Sequence, residues 1–472
     1  MKLSVFFVLL IVFSFINDLR IPLGGCWSVP VGVLFIYISL FLLLIFNYKS
    51  FLKNLIHIAR NRHNSFWVYM LFFIYILSLT LIQGIFGITK MPKSVLATIL
   101  LYGGFLLPGY ITSIYASYKM IPLEKLIKLI YIIYYAILLL GIVDFIAYYF
   151  DIVPIQKILS SFFNTQTVAL NDSFIKPVVN GLPRVQSIYF EAGFFAQYTF
   201  LMLPILYNLS LSPYNIFNNK YFNFFIKKTT IPLIWINLIL TQSPIWLIFS
   251  GISTVIFFVR KLFINFKGNP KKYLKFLFIS IMIVLIALIP ISKIDIQKTY
   301  LKRISIVKEC ITDINLLIYA EPSLGTRLSN IIALIDIGLE SPIWGVGYSN
   351  LEPRLTHNIL NKKTPVLITE EMHNMILKKV PSFQNPPLTN IFVKYGLIAL
   401  LLYYAFIFKT IYALNKCRKY NTGSIQAFNN GLIGTLISSV IMSCYDITVN
   451  NILCAVLIGI SIGFIQYTAE HI

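Results

Sequence analysis

Apolar runs of about twenty residues recur along the whole chain, and they constrain its fold more than any other feature. A helix needs about 20 mostly apolar residues to cross a bilayer. Only helices and closed barrels satisfy their backbone groups within lipid. Runs at 28–47, 64–89, 94–116, 129–150, 190–210, 274–291, 389–409, 424–444 and 451–468 reach or approach that length. A shorter run at 3–16 follows Met1-Lys2 and leads into Asn17-Asp18-Leu19-Arg20, with no small-residue cleavage site, so it reads as a first span rather than a signal peptide. The run 230–259 is a special case. Lys220, Lys227 and Lys228 precede it, and Arg260, Lys261, Lys267, Lys271, Lys272 and Lys275 follow it. One span cannot begin and end on the same side. Two short or tilted helices, or a re-entrant pair, are therefore expected to meet at Thr241-Gln242-Ser243-Pro244. That break either lies at a working cavity, where irregular backbone survives at membrane depth, or is the tip of a plain hairpin. The expectation is an all-α integral membrane protein, a polytopic bundle of about 12 transmembrane helices with one large external (periplasmic) loop.

The composition agrees. Hydrophobic residues make up 58% of the 472 and charged residues 12%, against about a quarter charged in soluble domains. This excludes a soluble globular protein, a disordered chain and a nucleic-acid-binding domain. The net charge is 39 − 17 = +22, and its distribution sets orientation. Lys49, Lys53, Arg60 and Arg62, then Lys119, Lys125 and Lys128, then Lys416, Arg418 and Lys419 mark cytoplasmic segments under the positive-inside rule. Both termini are then cytoplasmic, and 151–188 and 292–388 are external. The second of these holds nine of the seventeen acids, counted from Asp295 to Glu371. The expected organisation is a single membrane domain: helices with the 151–188 loop over 1–291, the large external loop over 292–388, and C-terminal helices over 389–472. Five cysteines (Cys26, Cys310, Cys417, Cys444, Cys454) without a CxxC spacing indicate neither a metal site nor a disulfide framework. There is no internal repeat of the kind transporters show.

Three groups of residues could carry chemistry. The first is Arg184-Val-Gln-Ser187-Ile-Tyr189-Phe-Glu191, where the 151–188 loop enters a span. Arg184 and Glu191 would share a face of a continuous helix, with Pro183 at the turn into it. They either flank an external cavity or form a buried pair that orients the helix. The second is Gly325-Thr326-Arg327 followed by apolar positions 328, 331, 332, 335 and 339, a helical stripe with Arg327 at its start. A guanidinium beside free helix N–H groups makes an anion site, and its planar fork suits phosphate; otherwise Arg327 is solvated or pairs with a loop acid. A glycine-rich turn, Pro342-Ile-Trp-Gly345-Val-Gly347, comes next. The third group is His357 and His373, each followed by Asn; either could act as a base near neutral pH. Arg303, Arg354, Lys362 and Lys363 could add positive field. Asp144 is the main charge within a span. The chain carries no HExxH, no GxxxxGK[ST], no GxGxxG before a helix and no external Asp-x-Asp, so chemistry without metal or cofactor is expected.

These motifs resemble the bacterial O-antigen polymerase (Wzy-type) and O-antigen ligase-like superfamily. Arg184-x-x-Ser187-x-x-x-Glu191 is similar to the Arg-x-x-Ser-x-Phe-x-Glu-Pro-Ser stretch of polysaccharide polymerases, departing from it at Ala192-Gly193. Arg327 through Gly338 resembles an Arg-x10-Gly pattern, and Pro342–Gly347 a Pro-x-x-Gly-x-Gly turn. Thr241-Gln242-Ser243 falls at a polar break of the family. The ligase branch places His-Asn eleven residues before a Gly; counting back from Gly396 gives Asn385, and His373 lies further upstream, which favours polymerase over ligase. The resemblance implies a glycosyltransferase that uses a polyprenyl-diphosphate-linked oligosaccharide in the cytoplasmic membrane, with its site facing outward. It implies no cofactor and no nucleic acid. Its partners would be membrane lipid and, as a candidate, a chain-length regulator protein. On this basis Arg184 and Arg327 would hold the diphosphates, Glu191 would be the base with His373 or His357 second, and Arg303, Arg354, Tyr189, Ser187 and Gln242 would bind substrate. A lipid-linked glycan transporter and a glycan receptor are the rival classes.

Overall fold

The computed structural model describes residues 3–15, 20–24, 27–60, 65–161, 178–179, 182–187, 189, 192–264, 322–360, 386–445 and 452–470. The helices are α1 (Leu3–Phe15), α2 (Val31–Arg60), α3 (Phe66–Ile85), α4 (Met91–Met120), α5 (Leu123–Tyr149), α6 (Val153–Ser161) and α7 (Ala192–Ser210). They continue as α8 (Lys220–Leu240), α9 (Pro244–Ile264), α10 (Pro322–Leu339), α11 (Tyr348–Leu360), α12 (Pro387–Cys417), α13 (Gly423–Tyr445) and α14 (Ile452–Glu470). Two small antiparallel hairpins, Arg20–Gly24 with Trp27–Pro30 and Val178–Val179 with Leu182–Pro183, interrupt the helical order. The sequence reading contained neither.

Seven helices among the described residues are long and apolar enough to cross a membrane, and three more apolar helices are shorter. Helix α3 shows why this is a membrane protein. Phe66, Tyr69, Phe72 and Ile76 are buried at helical spacing, yet Leu71 and Ile74 on the opposite face are exposed. A helix at a water surface would carry mostly polar residues there; this one exposes Trp67, Leu71, Ile74, Ile82 and Ile85, as lipid requires. Of the expected spans, 274–291 lies outside the described residues.

Several boundaries differ from expectation. The span expected to end at residue 47 continues as α2 past a kink at Asn47 (φ −138°, ψ 24°) through the basic stretch from Lys49 to Arg60. The expected external loops contain α6 in the first, and α10 and α11 in the second. The 230–259 run does break at Thr241–Ser243, but the flanking helices are not short. Each has 21 residues, about 31 Å at 1.5 Å per residue. Helix α8 begins at Lys220, so the lysines expected before the span lie within it. In α4 the ladder widens to π-type over Ile99–Leu106 and again over Ala116–Met120; Pro108, which has no N–H to give, follows the first widening.

The chain divides into two units. The first comprises residues 1–38, 120–302 and 418–438. Its centre is α7, buried along nearly its whole length. Hydroxyls tie neighbours to it: Tyr131 of α5 bonds Ser210 Oγ at 2.6 Å and Thr230 Oγ1 of α8 at 2.8 Å, and Tyr134 donates to Thr199 at 2.9 Å. Trp235 Nε1 donates to the Tyr207 hydroxyl at 2.7 Å. Satisfying polar groups between helices is what holds them where lipid removes the hydrophobic drive.

The second unit comprises residues 39–119, 303–417 and 439–472. Here α14 is enclosed on all sides. Gly459 and Gly463, one turn apart, pack on Ser113 and Ser117 of α4; a Cβ at Gly463 would stand 2.0 Å from Ser117 Oγ. Small residues four apart on both helices allow this approach. Tyr69, Phe72, Tyr102, Tyr110, Tyr403 and Phe406 form an aromatic core beside it.

Candidate active site

In the first unit the segment 184–189 lies between the second hairpin and α7 and is not helical. Arg184 therefore does not share a continuous helix with Glu191, as the spacing suggested. Pro183 sits in a strand, and Ser187 has φ +54°, a left-handed backbone that ends any helix. Glu191 itself lies outside the described residues.

What brings this segment together is the break at Thr241–Ser243. Helix α8 ends in a tight turn: Thr241 N–H bonds Asn237 O at 2.9 Å, Gln242 N–H bonds Ile239 O at 3.1 Å, and Gln242 has φ +51°. Pro244 then opens α9; proline suits a first helical position because that N–H has no partner in any helix. The carbonyls at the end of α8 carry the negative pole of the helix. Arg184 docks there. Its Nε donates to Thr241 O at 3.0 Å and its Nη2 to Ser243 Oγ at 3.1 Å. One residue on, Val185 N–H donates to Leu240 O at 3.0 Å. The guanidinium is half-buried, while Thr241, Gln242 and Ser243 are buried. Two features read separately in the sequence thus form one site.

Asp144 completes it, and sequence reasoning registered only that this carboxylate falls within a span. Its Oδ2 accepts the backbone N–H of Gln186 at 2.8 Å and of Ser187 at 3.1 Å, and it is buried. Ser187 Oγ donates to Ile137 O at 2.9 Å. Tyr189 is fully buried and stacks on Phe195 and Tyr198 at 5.7 and 4.6 Å between ring centres. It packs the start of α7.

In the second unit α10 starts at Pro322, so Arg327 is its sixth residue rather than its first. The free N–H groups of a helix belong to its first turn, which removes the helix-start argument for an anion at Arg327. The buried stripe is Asn330, Ala333, Leu334 and Ile337, with Ile335 and Leu339 exposed; the expected register is displaced. Ala333, Leu334 and Ile337 pack with Val346, Leu351, Leu355 and Val393. Arg354 is exposed and ion-paired with Glu340, so its charge is locally balanced. His357 stands exposed in the last turn of α11. Arg303 and His373 lie outside the described residues. Among the described residues no three His, Cys, Asp or Glu side chains come together.

The glycine-rich turn has a clear structural duty. Helix α12 breaks at Gly396 (φ 79°, ψ −178°), and Pro342–Gly347 fills the break with backbone hydrogen bonds. Val346 N–H donates to Val393 O at 2.8 Å, Gly347 N–H to Lys394 O at 3.2 Å, and Leu397 N–H to Pro342 O at 2.8 Å. Gln83 Nε2 donates to Trp344 O at 2.9 Å from the other side. Gly345 (φ +68°) lies against the Lys394 carbonyl, where a Cβ would stand 2.5 Å from carbon and oxygen.

A comparison with the curated proteins finds no match to the chain. Residues 230–404 match the family model described as O-antigen ligase, a region that holds the Thr241–Ser243 turn, Arg327, the glycine-rich turn and the Gly396 break but not Arg184, Ser187 or Glu191. Over these residues the chain is similar to the O-antigen ligase family, a match that supports the resemblance to O-antigen polymerases and ligases.

Proposed function

We propose that the protein polymerises lipid-linked oligosaccharide repeat units at the outer face of a bacterial cytoplasmic membrane. The observation that carries this reading is Arg184, held by its guanidinium at the Thr241–Ser243 turn of the family-matched region. The growing glycan leaves its polyprenyl diphosphate and passes to a hydroxyl of the next unit's non-reducing sugar. The bond broken is the anomeric C–O to the diphosphate; the bond formed joins that carbon to the acceptor oxygen. Two demands follow. Negative charge builds on the departing diphosphate and needs fixed positive charge, which Arg184 and Arg327 supply. The acceptor hydroxyl must lose its proton to a base, for which Glu191 is the first candidate and His373 or His357 the second. No metal is assigned a role. Arg303, Arg354, Ser187, Gln242 and Tyr189 remain proposed substrate neighbours, with Tyr189 acting through packing. The product would be O-antigen, capsule or exopolysaccharide, and a chain-length regulator protein is a proposed partner.

The description of the matched family favours one second reading, a ligase that transfers finished polymer to a lipid A-core acceptor. A deletion strain separates the two. Surface polysaccharide collapsed to one repeat unit on its acceptor supports the polymerase. Polymer retained on its lipid carrier supports the ligase. Single units trapped on the cytoplasmic leaflet would instead mean a transporter.

A further inference from the structure

The geometry points to Asp144 as the residue that positions Arg184, acting through the backbone of the segment between them. This rests on the reading of Arg184 given above. The segment 184–187 has no helix or sheet ladder to hold it, and Ser187 is in a left-handed conformation that a non-glycine residue keeps only when its surroundings enforce it. Asp144 supplies that enforcement. Two consecutive N–H groups, from Gln186 and Ser187, converge on one carboxylate oxygen at 2.8 and 3.1 Å. Bonds to an ionised acceptor are about twice as strong as neutral ones. A carboxylate within a span is costly unless something pairs with it, so the arrangement is reciprocal: the turn satisfies Asp144 and Asp144 fixes the turn. From the other side, Leu240 O takes the Val185 N–H and Thr241 O takes Arg184 itself. Arg184 is thus held between α5 and the end of α8, with Asp144 as the charged side of the clamp. Asp144 touches the segment, not the substrate, and is a positioning residue.

Two readouts test this. The first is product formation by Asp144→Ala, Asp144→Asn, Arg184→Ala and the Asp144→Ala/Arg184→Ala double variant at matched protein levels. Misplacing a reacting group by about an ångström costs about 100-fold, so Asp144→Ala is expected to lose about that much. The double variant should fall within about twofold of Arg184→Ala, because the two losses are one loss. Asp144→Asn keeps an acceptor oxygen in place and should recover most of the product. Losses that multiply in the double variant would overturn the proposal.

The second readout does not depend on the polymerase reading. Val185 is fully buried. In a protein with its five native cysteines replaced, Val185→Cys in purified, nanodisc-embedded protein should resist a maleimide. It should become reactive in the Asp144→Ala background and stay protected with Asp144→Asn. Equal protection in all three backgrounds would overturn the positioning role. Altered labelling together with normal product from Arg184→Ala would leave the clamp standing and sink the assignment of Arg184.

Discussion

Gly396 approaches the carbonyl of Ile343 so closely that a Cβ on it would stand 1.9 Å from that oxygen. Its backbone, φ 79° and ψ −178°, lies in a region that is essentially open to glycine alone. Clash and strain add, so Gly396→Ala should destabilise the protein by about 2–4 kcal/mol. Thermal unfolding of the detergent-solubilised protein would read this as a lower Tm. An unchanged midpoint would show that the Pro342–Gly347 turn is not seated in the break.

Arginine at position 184 works as a fork with two geometrically separate bonds, to Thr241 O and to Ser243 Oγ. Lysine offers a point charge instead. Arg184→Lys should therefore resemble Arg184→Ala in losing long chains on a polysaccharide gel, while each lowers stability by only about 0.5–1.5 kcal/mol, the worth of a typical hydrogen bond. Normal chain lengths from the lysine variant would mean that only charge matters there.

The turn at Gln242 makes a prediction about backbone rather than side chain. With φ at +51°, a β-branched residue is strongly disfavoured and glycine is welcome. Gln242→Val is expected to lower stability by about 1–2 kcal/mol, and Gln242→Gly to cost less than half as much. Equal midpoints for the two variants would contradict the left-handed assignment.

Helix α14 meets α4 through small residues. Gly463→Leu must push against Ser117 Oγ and the Ile114 carbonyl, which a Cβ would meet at 2.0 and 2.6 Å. Because backbone is among the atoms met, Ser117→Ala should not rescue it. The expected loss is about 3 kcal/mol or more, read as reduced folded yield and faster proteolysis. Wild-type yield from Gly463→Leu would refute the close packing.

Much of this architecture was legible from apolar run length alone, because lipid makes that the dominant requirement. The polar break at Thr241–Ser243 was legible too, because Thr-Gln-Ser-Pro interrupts an apolar run near its middle. The start of α10 was available too, since Pro322 is a helix-opening signal, but an attractive Arg327 drew the boundary inward. Its register was not legible, because residues 331–335 are apolar at almost every position and any stripe could be drawn through them. The pairing of Asp144 with Gln186 and Ser187 could not be read either. A carboxylate within a span announces that it has a partner, not that the partner is backbone 42 residues away. Nothing marks Ser187 locally as left-handed, so a seven-residue spacing looked like a helix face.

The enclosure of α14 carries a consequence for how the protein is made. Ile452–Glu470 is buried along nearly its whole length, and the helices it packs against, α4 and α12, are both synthesised before it. Its neighbours must therefore wait on the bilayer with an open slot, and this helix leaves the insertion machinery into protein rather than into lipid. Ribosomes stalled before residue 452 should leave an incomplete second unit that membrane proteases can recognise, which makes assembly of that unit wait on the synthesis of α14.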